Sequence, residues 1–238
     1  MIDPWHFPRR DLADRTLTAL TDGPSKALTL FAPRRRGKTE FLLKDVRPAA
    51  EKAGHRVIYV SFWDPLEPPA LLVSVLESAT ARSTAAGRAG AFASRMTPKI
   101  KLSASIPGTD TKGEIDLTQI PKKAEKGLIA HVDTLLGKLA RSKKKTILLL
   151  DEIQELAKRK DDAGLVAALR TSLDVRSDGL RTIFTGSSRE GLQKMFASSK
   201  APFFHFGAQI ELPDLGDEFV DHMLKQAARI TKMSLDRR

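Results

Sequence analysis

The stretch "LTLFAPRRRGKTEF", residues 28–41, restricts the fold more than any other part of the chain. A short apolar, β-rich run, "ALTLFA" at 27–32, enters a loop with three consecutive arginines. The loop opens into "TEFLLKDVRPAAEKAG" at 39–54, whose apolar residues recur at helical spacing, with Pro48 as the expected kink and Gly54 as the stop. "HRVIYVSFW" at 55–63 then reads as a second strand. Strand, loop, helix and strand in this order make a βαβ unit, which belongs to a parallel sheet covered on both faces. Two readings of the loop are open at this point: a phosphate cradle, or a basic turn that happens to end in Gly-Lys-Thr.

The alternation of strands and helices continues along the chain. A helix over 11–20 precedes the first strand, and "TDGPS" at 21–25 stops it. Helices are expected at 67–82, 122–140, 161–175, 189–199 and about 217–230. Strands are expected at "TILLLD", ending at Asp151, at "LRTIFTGSS" over 180–188, and in the last part of "APFFHFGAQIELPDL" over 201–215. "TILLLDEIQEL" reads as a strand running directly into a helix. "KIKLSASI" at 99–106 and "GEIDLTQI" at 113–120 flank "PGTDTK" and alternate apolar with polar residues, the pattern of an inserted β-hairpin.

The chemistry concentrates at two of these junctions. Ala32 to Thr39 fits [Ala or Gly]-x-x-x-x-Gly-Lys-Thr, with the required strand before it and helix after it. In such a loop the backbone N–H groups from Arg34 to Lys38 surround the β-phosphate, aided by the positive helix end. Lys38 would reach the β- and γ-phosphates and the Thr39 hydroxyl would bind Mg²⁺. Gly37 is the residue least replaceable by shape. The second junction, "ILLLDE" at 147–152, sets two carboxylates at the C-terminal tip of an apolar strand, where ligands bind in open α/β sheets. Asp151 would hold the Mg²⁺ shell and Glu152 would polarise an attacking water. The competing reading makes Asp151 a helix N-cap and Glu152 a partner of the helix dipole.

At a third strand end, Thr185, Ser187 and Ser188 are candidates to sense the γ-phosphate or hold the water, against a plain turn; Ser187 is taken as the catalytic candidate beside Lys38 and Glu152. Arg189 reads as a charge stabiliser or an ordinary surface arginine. Asp64 reads as a metal neighbour or as the turn former before Pro65. The nucleotide-binding set is therefore Pro33, Arg34, Arg35, Arg36, Gly37, Lys38, Thr39 and Glu40, with Thr39 and Asp151 on the metal. The side chains of the three arginines are free to face the nucleotide, solvent or a neighbouring subunit, because the main chain does the cradling.

Composition narrows the partners. Forty basic against twenty-nine acidic residues give a formal charge of +11, which favours polyanions such as nucleotides and nucleic acid, or serves only as a solubilising surface. The absence of cysteine excludes a disulfide framework, thiolate metal sites and cysteine catalysis. No apolar run has signal-peptide or membrane-span length, so a soluble, cytoplasmic protein with no membrane partner is expected.

Through "FAPRRRGKTEFLL", "ILLLDEIQEL", "IFTGSSREGL" and, more loosely, "APFFHFGAQIELPDL", the chain resembles a P-loop ATPase of the AAA+/STAND type over residues 5–230. The nearest likeness is to the bacterial and archaeal group with a Pro-Arg-Arg-x-Gly-Lys-Thr loop. The resemblance implies an α/β fold: a three-layer P-loop NTPase core with a mostly parallel five-stranded sheet, here carrying the inserted hairpin. It implies ATP and Mg²⁺ as cofactors, ATP hydrolysis, and switching on a protein or DNA partner, with nucleotide-dependent homo-oligomerisation. The expected division is a helical lead-in at 1–26, a core at 27–215 with an insertion at about 84–121, and the start of a truncated or reduced helical lid at 216–238. Two departures stand out: Ala32 replaces the usual first glycine, and "PFFHF" lacks the arginine that often follows a proline-aromatic pair in this group. Alternatives to the switch ATPase are an ATP-dependent DNA-binding regulator in which hydrolysis is only a reset, a small-molecule P-loop kinase, and a nucleotide-binding scaffold without turnover.

Overall fold

Apolar runs with β-branched residues make the centre of the molecule, a five-stranded sheet in which every pairing is parallel. The structure, a computed structural model, describes residues 3–81 and 122–232; the expected hairpin at 99–120 lies outside them. The strands are β1 (Ala27–Phe31), β2 (Arg56–Ser61), β3 (Thr146–Asp151), β4 (Leu180–Gly186) and β5 (Ala208–Glu211). Their order across the sheet is β2-β3-β4-β1-β5. β3 and β4 are buried along their whole length, as expected for central strands covered on both faces.

Helices fill both faces. On one side lie α1 (Arg10–Thr21) and α2, the helix at 38–52 that leaves the arginine loop. Leu17, Leu20, Phe41, Leu42 and Val46 from these helices pack on Leu28, Leu30, Ile147, Leu149 and Ile183. The other side carries α3 (Pro68–Ala81), α4 (Lys122–Ala140), α5 (Ala163–Val175) and α6 (Arg189–Phe196). There Phe184 is ringed by Phe196, Phe203 and Phe206, with centroids 5.4, 5.1 and 6.0 Å away. Two aromatics of "PFFHF" thus serve the core, where each fully buried side chain contributes about 1.5–3 kcal/mol. A last helix, α7 (Asp217–Thr231), has no buried residue and touches the N-terminal segment through Phe219 and His222 on Phe7.

Two elements differ from the sequence expectation. α2 widens to a π-helical turn over Phe41–Val46 just before Pro48, instead of keeping regular α-helical spacing. Pro48 has no N–H to donate to an α-helical partner, and a wider turn accommodates its ring. After β3 the chain does not enter an α-helix: Glu152 adopts the left-handed conformation (φ 57°) and the following Ile153–Ala157 form a 3₁₀ turn. Asp151 therefore caps no helix.

Asp162, buried at the start of α5, has a carboxylate oxygen with no hydrogen-bond partner, and its nearest cation, Arg159, is 4.0 Å away. Burial raises its pKa to about 6, against the pull of Arg159. A carboxyl whose folded-state pKa lies above its unfolded value stabilises the fold while protonated, and that contribution is lost as the pH rises from about 4 through 6. Asp162→Asn should match the wild type near pH 4 and exceed it by on the order of 1–3 kcal/mol at pH 7.5. Urea unfolding at the two pH values measures the difference.

Candidate nucleotide site

The arginine loop runs from the C-terminal end of β1 to the first turn of α2, with positive φ at Arg35 (63°) and Gly37 (71°). Left-handed residues interleaved with ordinary ones turn successive N–H groups towards a common point, the backbone geometry of an anion nest. Gly37 needs glycine for two reasons. Its φ is strained for any side chain, and a Cβ there would lie 3.3 Å from Nη2 of Arg9. Ala32 is buried and is not among the positive-φ residues, so alanine costs nothing at the loop entrance.

Lys38 does not reach out to solvent; it is 5% exposed. Its Nζ donates to the carbonyls of Ala32 (2.8 Å) and Pro33 (3.0 Å) and lies 3.8 Å from Oε1 of Glu152. Burial lowers its pKa from the ordinary lysine value, while the charges of Glu152 and Asp151 oppose that shift.

β1 and β3 are not neighbours, because β4 separates them. Even so, Oγ1 of Thr39 donates to Oδ2 of Asp151 at 2.7 Å across 112 residues of sequence. Tyr59, on β2, donates to the same oxygen at 2.8 Å. Thr185, on the intervening β4, donates to Oδ1 and accepts the main-chain N–H of Glu152 at 3.3 Å. Three hydroxyls thus hold a carboxylate that is 2% exposed. Burial, then the charge of Asp151 and the hydrogen bond to it, raises the Tyr59 pKa, which keeps its phenol a donor.

Glu152, 6% exposed, is fixed at its other oxygen. Oε2 accepts from Oγ (2.7 Å) and N (3.2 Å) of Ser187 and from Nε2 of Gln154. Gln154 has room because two glycines face it: a Cβ on Gly186 would come within 2.4 Å of its Oε1, and one on Gly191 within 2.8 Å of its Cβ. The three candidates at the end of β4 separate cleanly. Thr185 serves Asp151, Ser187 serves Glu152, and Ser188 caps α6 by accepting from the N–H of Gly191 at 3.0 Å.

The remaining predicted residues lie around this network. The guanidinium of Arg34 sits over the Trp63 ring at 5.2 Å, Arg35 is exposed, and Arg36 pairs with Asp214 at 2.6 Å on the surface. Glu40 accepts from Lys44 and pairs with His6, on the outer side of α2. Arg189 lies over Phe31 at 4.8 Å, beside a separate cavity of about 390 Å³ between β5 and α6. Asp64 accepts from the N–H of Leu66, the turn role proposed for it. His205 meets the Phe204 ring edge-on, with centroids 4.0 Å apart.

Four residues have no counterpart in the sequence reading: Tyr59, Gln154, His6 and Arg9. Arg9 donates to the Gly37 carbonyl at 2.7 Å and packs over Phe41, while its main-chain N–H and His6 both engage the buried carboxylate of Asp45. The N-terminal segment is thereby fastened to the loop and to α2. The alternation in "RVIYVS" is the one faint signal for Tyr59, and nothing local marks the others.

The donors around Thr39 and Asp151 are all oxygen, the ligand type that Mg²⁺ takes from a protein supplying one or two groups beside substrate phosphates. Among the described residues no group of three or more His, Cys, Asp or Glu is arranged as a self-sufficient metal site.

No protein-family profile and no curated protein sequence matches the chain. Among solved structures, it is similar to the Aeropyrum pernix ORC1 protein in complex with DNA, with a TM-score of 0.54 and 18% identity over 94% of this chain and 50% of that one. It is similar to the ADP form of the Aeropyrum pernix ORC2 protein, with a TM-score of 0.51 and 20% identity over 93% and 51% of the two chains. A DNA replication initiation factor matches at 0.51 and 15% identity over 95% and 51%. The fold, helices on both faces of an all-parallel five-stranded sheet, is the P-loop NTPase fold of these proteins. Identity at this level carries the fold and no more, and the chain spans about half the length of each of these solved chains. No helix among the described residues is long and apolar enough to cross a membrane.

The packing of Gln154 yields a test. Gly186→Ala should destabilise the fold by about 1–3 kcal/mol by driving a methyl group into Gln154 and Leu192. Adding Gln154→Ala should return part of that loss, with a coupling above about 0.5 kcal/mol in a urea-unfolding double-mutant cycle.

Proposed function

We propose that the chain is a Mg²⁺-dependent ATPase of the AAA+/STAND type that switches a protein or DNA partner. The observation that carries this reading is the contact of Thr39 with Asp151, made with Lys38 and Glu152 side by side 3.8 Å apart. A basic turn would have no reason to bury its lysine against a strand-tip carboxylate. The ADP-bound form of the similar ORC2 protein accords with a nucleotide ligand, as a likeness of fold.

In this reading the N–H groups of residues 34–38 and the Lys38 ammonium bind and orient the β- and γ-phosphates of ATP. Lys38 exchanges its bonds to the Ala32 and Pro33 carbonyls for phosphate oxygens. Thr39 and Asp151 would hold Mg²⁺, which when bound neutralises developing phosphate charge. Tyr59 and Thr185 keep the Asp151 carboxylate aimed. Glu152 takes the proton of the attacking water at its carboxylate, and Ser187 and Gln154 set the direction of that carboxylate. Arg34, Arg35 and Arg36 raise the local potential or meet a second copy, in an assembly that forms with nucleotide. The lead-in at 1–26, the core at 27–215 and a lid beginning at 216 belong to the same reading; the helix Asp217–Thr231, which buries no residue, supports the last boundary.

The second reading, an ATP-dependent DNA-binding regulator in which hydrolysis only resets the complex, is favoured by the formal charge of +11.

ATP binding and turnover on the wild type, Lys38→Ala and Glu152→Gln test the proposal, with particle size measured in each nucleotide state. Lys38→Ala should lose binding. Glu152→Gln should keep binding while turnover falls by about 100-fold or more, the scale of a lost general base, and ATP should stay trapped on a larger species. Equal turnover in all three proteins would refute the assignment.

A further inference from the structure

All five strands point the same way, so their N-terminal ends form one edge of the molecule, opposite the nucleotide site. That edge gathers cations distant in sequence. Lys26 leads into β1, Lys52 and Arg56 flank the turn into β2, and Arg141, Lys143, Lys144 and Lys145 make the turn into β3. Lys26, Lys52, Arg141 and the three lysines are exposed, and none of them is ion-paired among the described residues. The lysine side chains are not needed to build their turn. Its bonds run through main-chain groups and Ser142, whose hydroxyl donates to the Leu139 and Lys144 carbonyls, while the Lys145 carbonyl accepts from the Arg56 N–H.

Opposing charge is sparse. Asp22 and Asp178 are exposed carboxylates on this edge, and Glu51, Asp133 and Asp174 are taken by Arg47, Arg176 and Arg170. The C-termini of α1, α2, α4 and α5 also end here, each equivalent to about half a negative charge, and this explains why basic residues are tolerated. The cations nevertheless outnumber these compensations. Burial first, then the charges of Lys145 and Arg181, hold the pKa of His55, just before β2, below the usual imidazole value against the pull of Asp22.

We infer that this edge is a binding surface for the phosphate backbone of duplex nucleic acid. The inference deepens the proposed DNA partner by naming where it sits, and it does not depend on ATP turnover. Four adjacent strand starts, β2-β3-β4-β1, spaced about 4.8 Å apart span roughly 14 Å. A duplex presents one phosphate per roughly 1.7 Å of axis, so the array faces several phosphates at once. The sheet fixes the spacing of the turns, which lowers the ordering cost of meeting a rigid duplex. A membrane surface fits less well: the exposed large apolar residue nearby is Val175, too little to insert among lipids.

The test is fluorescence anisotropy with a labelled duplex of about 30 base pairs over a salt series. It compares the wild type with Lys143→Gln/Lys144→Gln/Lys145→Gln and with a control triple of equal charge change, Arg10→Gln/Arg15→Gln/Lys158→Gln. The edge triple should weaken binding by about 10-fold or more near 0.1 M salt and lower the log–log salt slope by about 3, the loss of three phosphate contacts. The control should change affinity less than about twofold. The edge triple should keep wild-type ATP binding, and Lys38→Ala should keep duplex binding, so that failure of this surface and failure of the ATPase reading are told apart. Equal weakening by the two triples would overturn the inference in favour of diffuse charge. So would an absence of duplex binding by the wild type at low salt, or tighter binding to phosphatidylserine vesicles than to the duplex.

Discussion

The hydrogen bond from Thr39 to Asp151 is the constraint on which the site depends. It joins the first turn of the helix after β1 to the tip of β3, two strands that the sheet keeps apart by inserting β4. The gap is closed by side chains of the right reach: Thr185 rises from β4 to the other oxygen of Asp151, and Tyr59 arrives from β2 on the far side. A buried carboxylate is costly without partners, and three hydroxyl donors offset that cost while keeping both oxygens directed at one place. The strand order, the hydroxyl residues at the strand ends and the glycine at the loop exit are different expressions of the same requirement.

Glu152 is organised by a second, separate device. Its left-handed backbone, which costs on the order of 1 kcal/mol for a residue with a side chain, swings the chain out of β3 before any helix can start. That brings the carboxylate beside Lys38 and within reach of Ser187, while Gln154 folds back over two glycines to meet it. Neighbouring acids in sequence thus acquire different partners. Asp151 is surrounded by hydroxyls, the setting that the proposed function asks of a residue sharing a cation with phosphate oxygens. Glu152 is held by an amide, a hydroxyl and a main-chain N–H, the setting that the proposed function asks of a group that must be aimed.

How much of this was legible in the sequence follows from the range of the forces involved. Strands and helices declare themselves through apolar periodicity, so the expected and observed bounds of β1, β3, α4 and α7 agree within a residue or two. The loop was legible because strand, glycine, lysine and threonine are contiguous. The 3₁₀ turn after Glu152 was not: "EIQEL" has helical composition, and what overrides it is the tertiary pull of Ser187 and Thr185 on residue 152. Arg9 and His6 were invisible for the same reason. Their partners, Gly37, Glu40 and Asp45, lie about thirty residues or more away in sequence, and a basic N-terminal stretch looks the same whether it clasps a loop or faces solvent. The three hydroxyl residues of "TGSS" could be nominated together but not separated, because only the register of β4 against β3 decides which carboxylate each one meets.

The central claim is that Thr39 and Asp151 form one cation site with the phosphates of a nucleotide bound in the loop. Calorimetric titration of ATP into the wild type and Thr39→Val, with Mg²⁺ and with EDTA, tests it most directly. The account predicts wild-type binding that Mg²⁺ strengthens by about 10-fold or more, and an effect of Mg²⁺ that falls below about threefold in Thr39→Val, since removal of a ligand hydroxyl forfeits a contact of roughly 1–2 kcal/mol. An ATP affinity that responds to Mg²⁺ equally in both proteins, or that does not respond in the wild type, would contradict it.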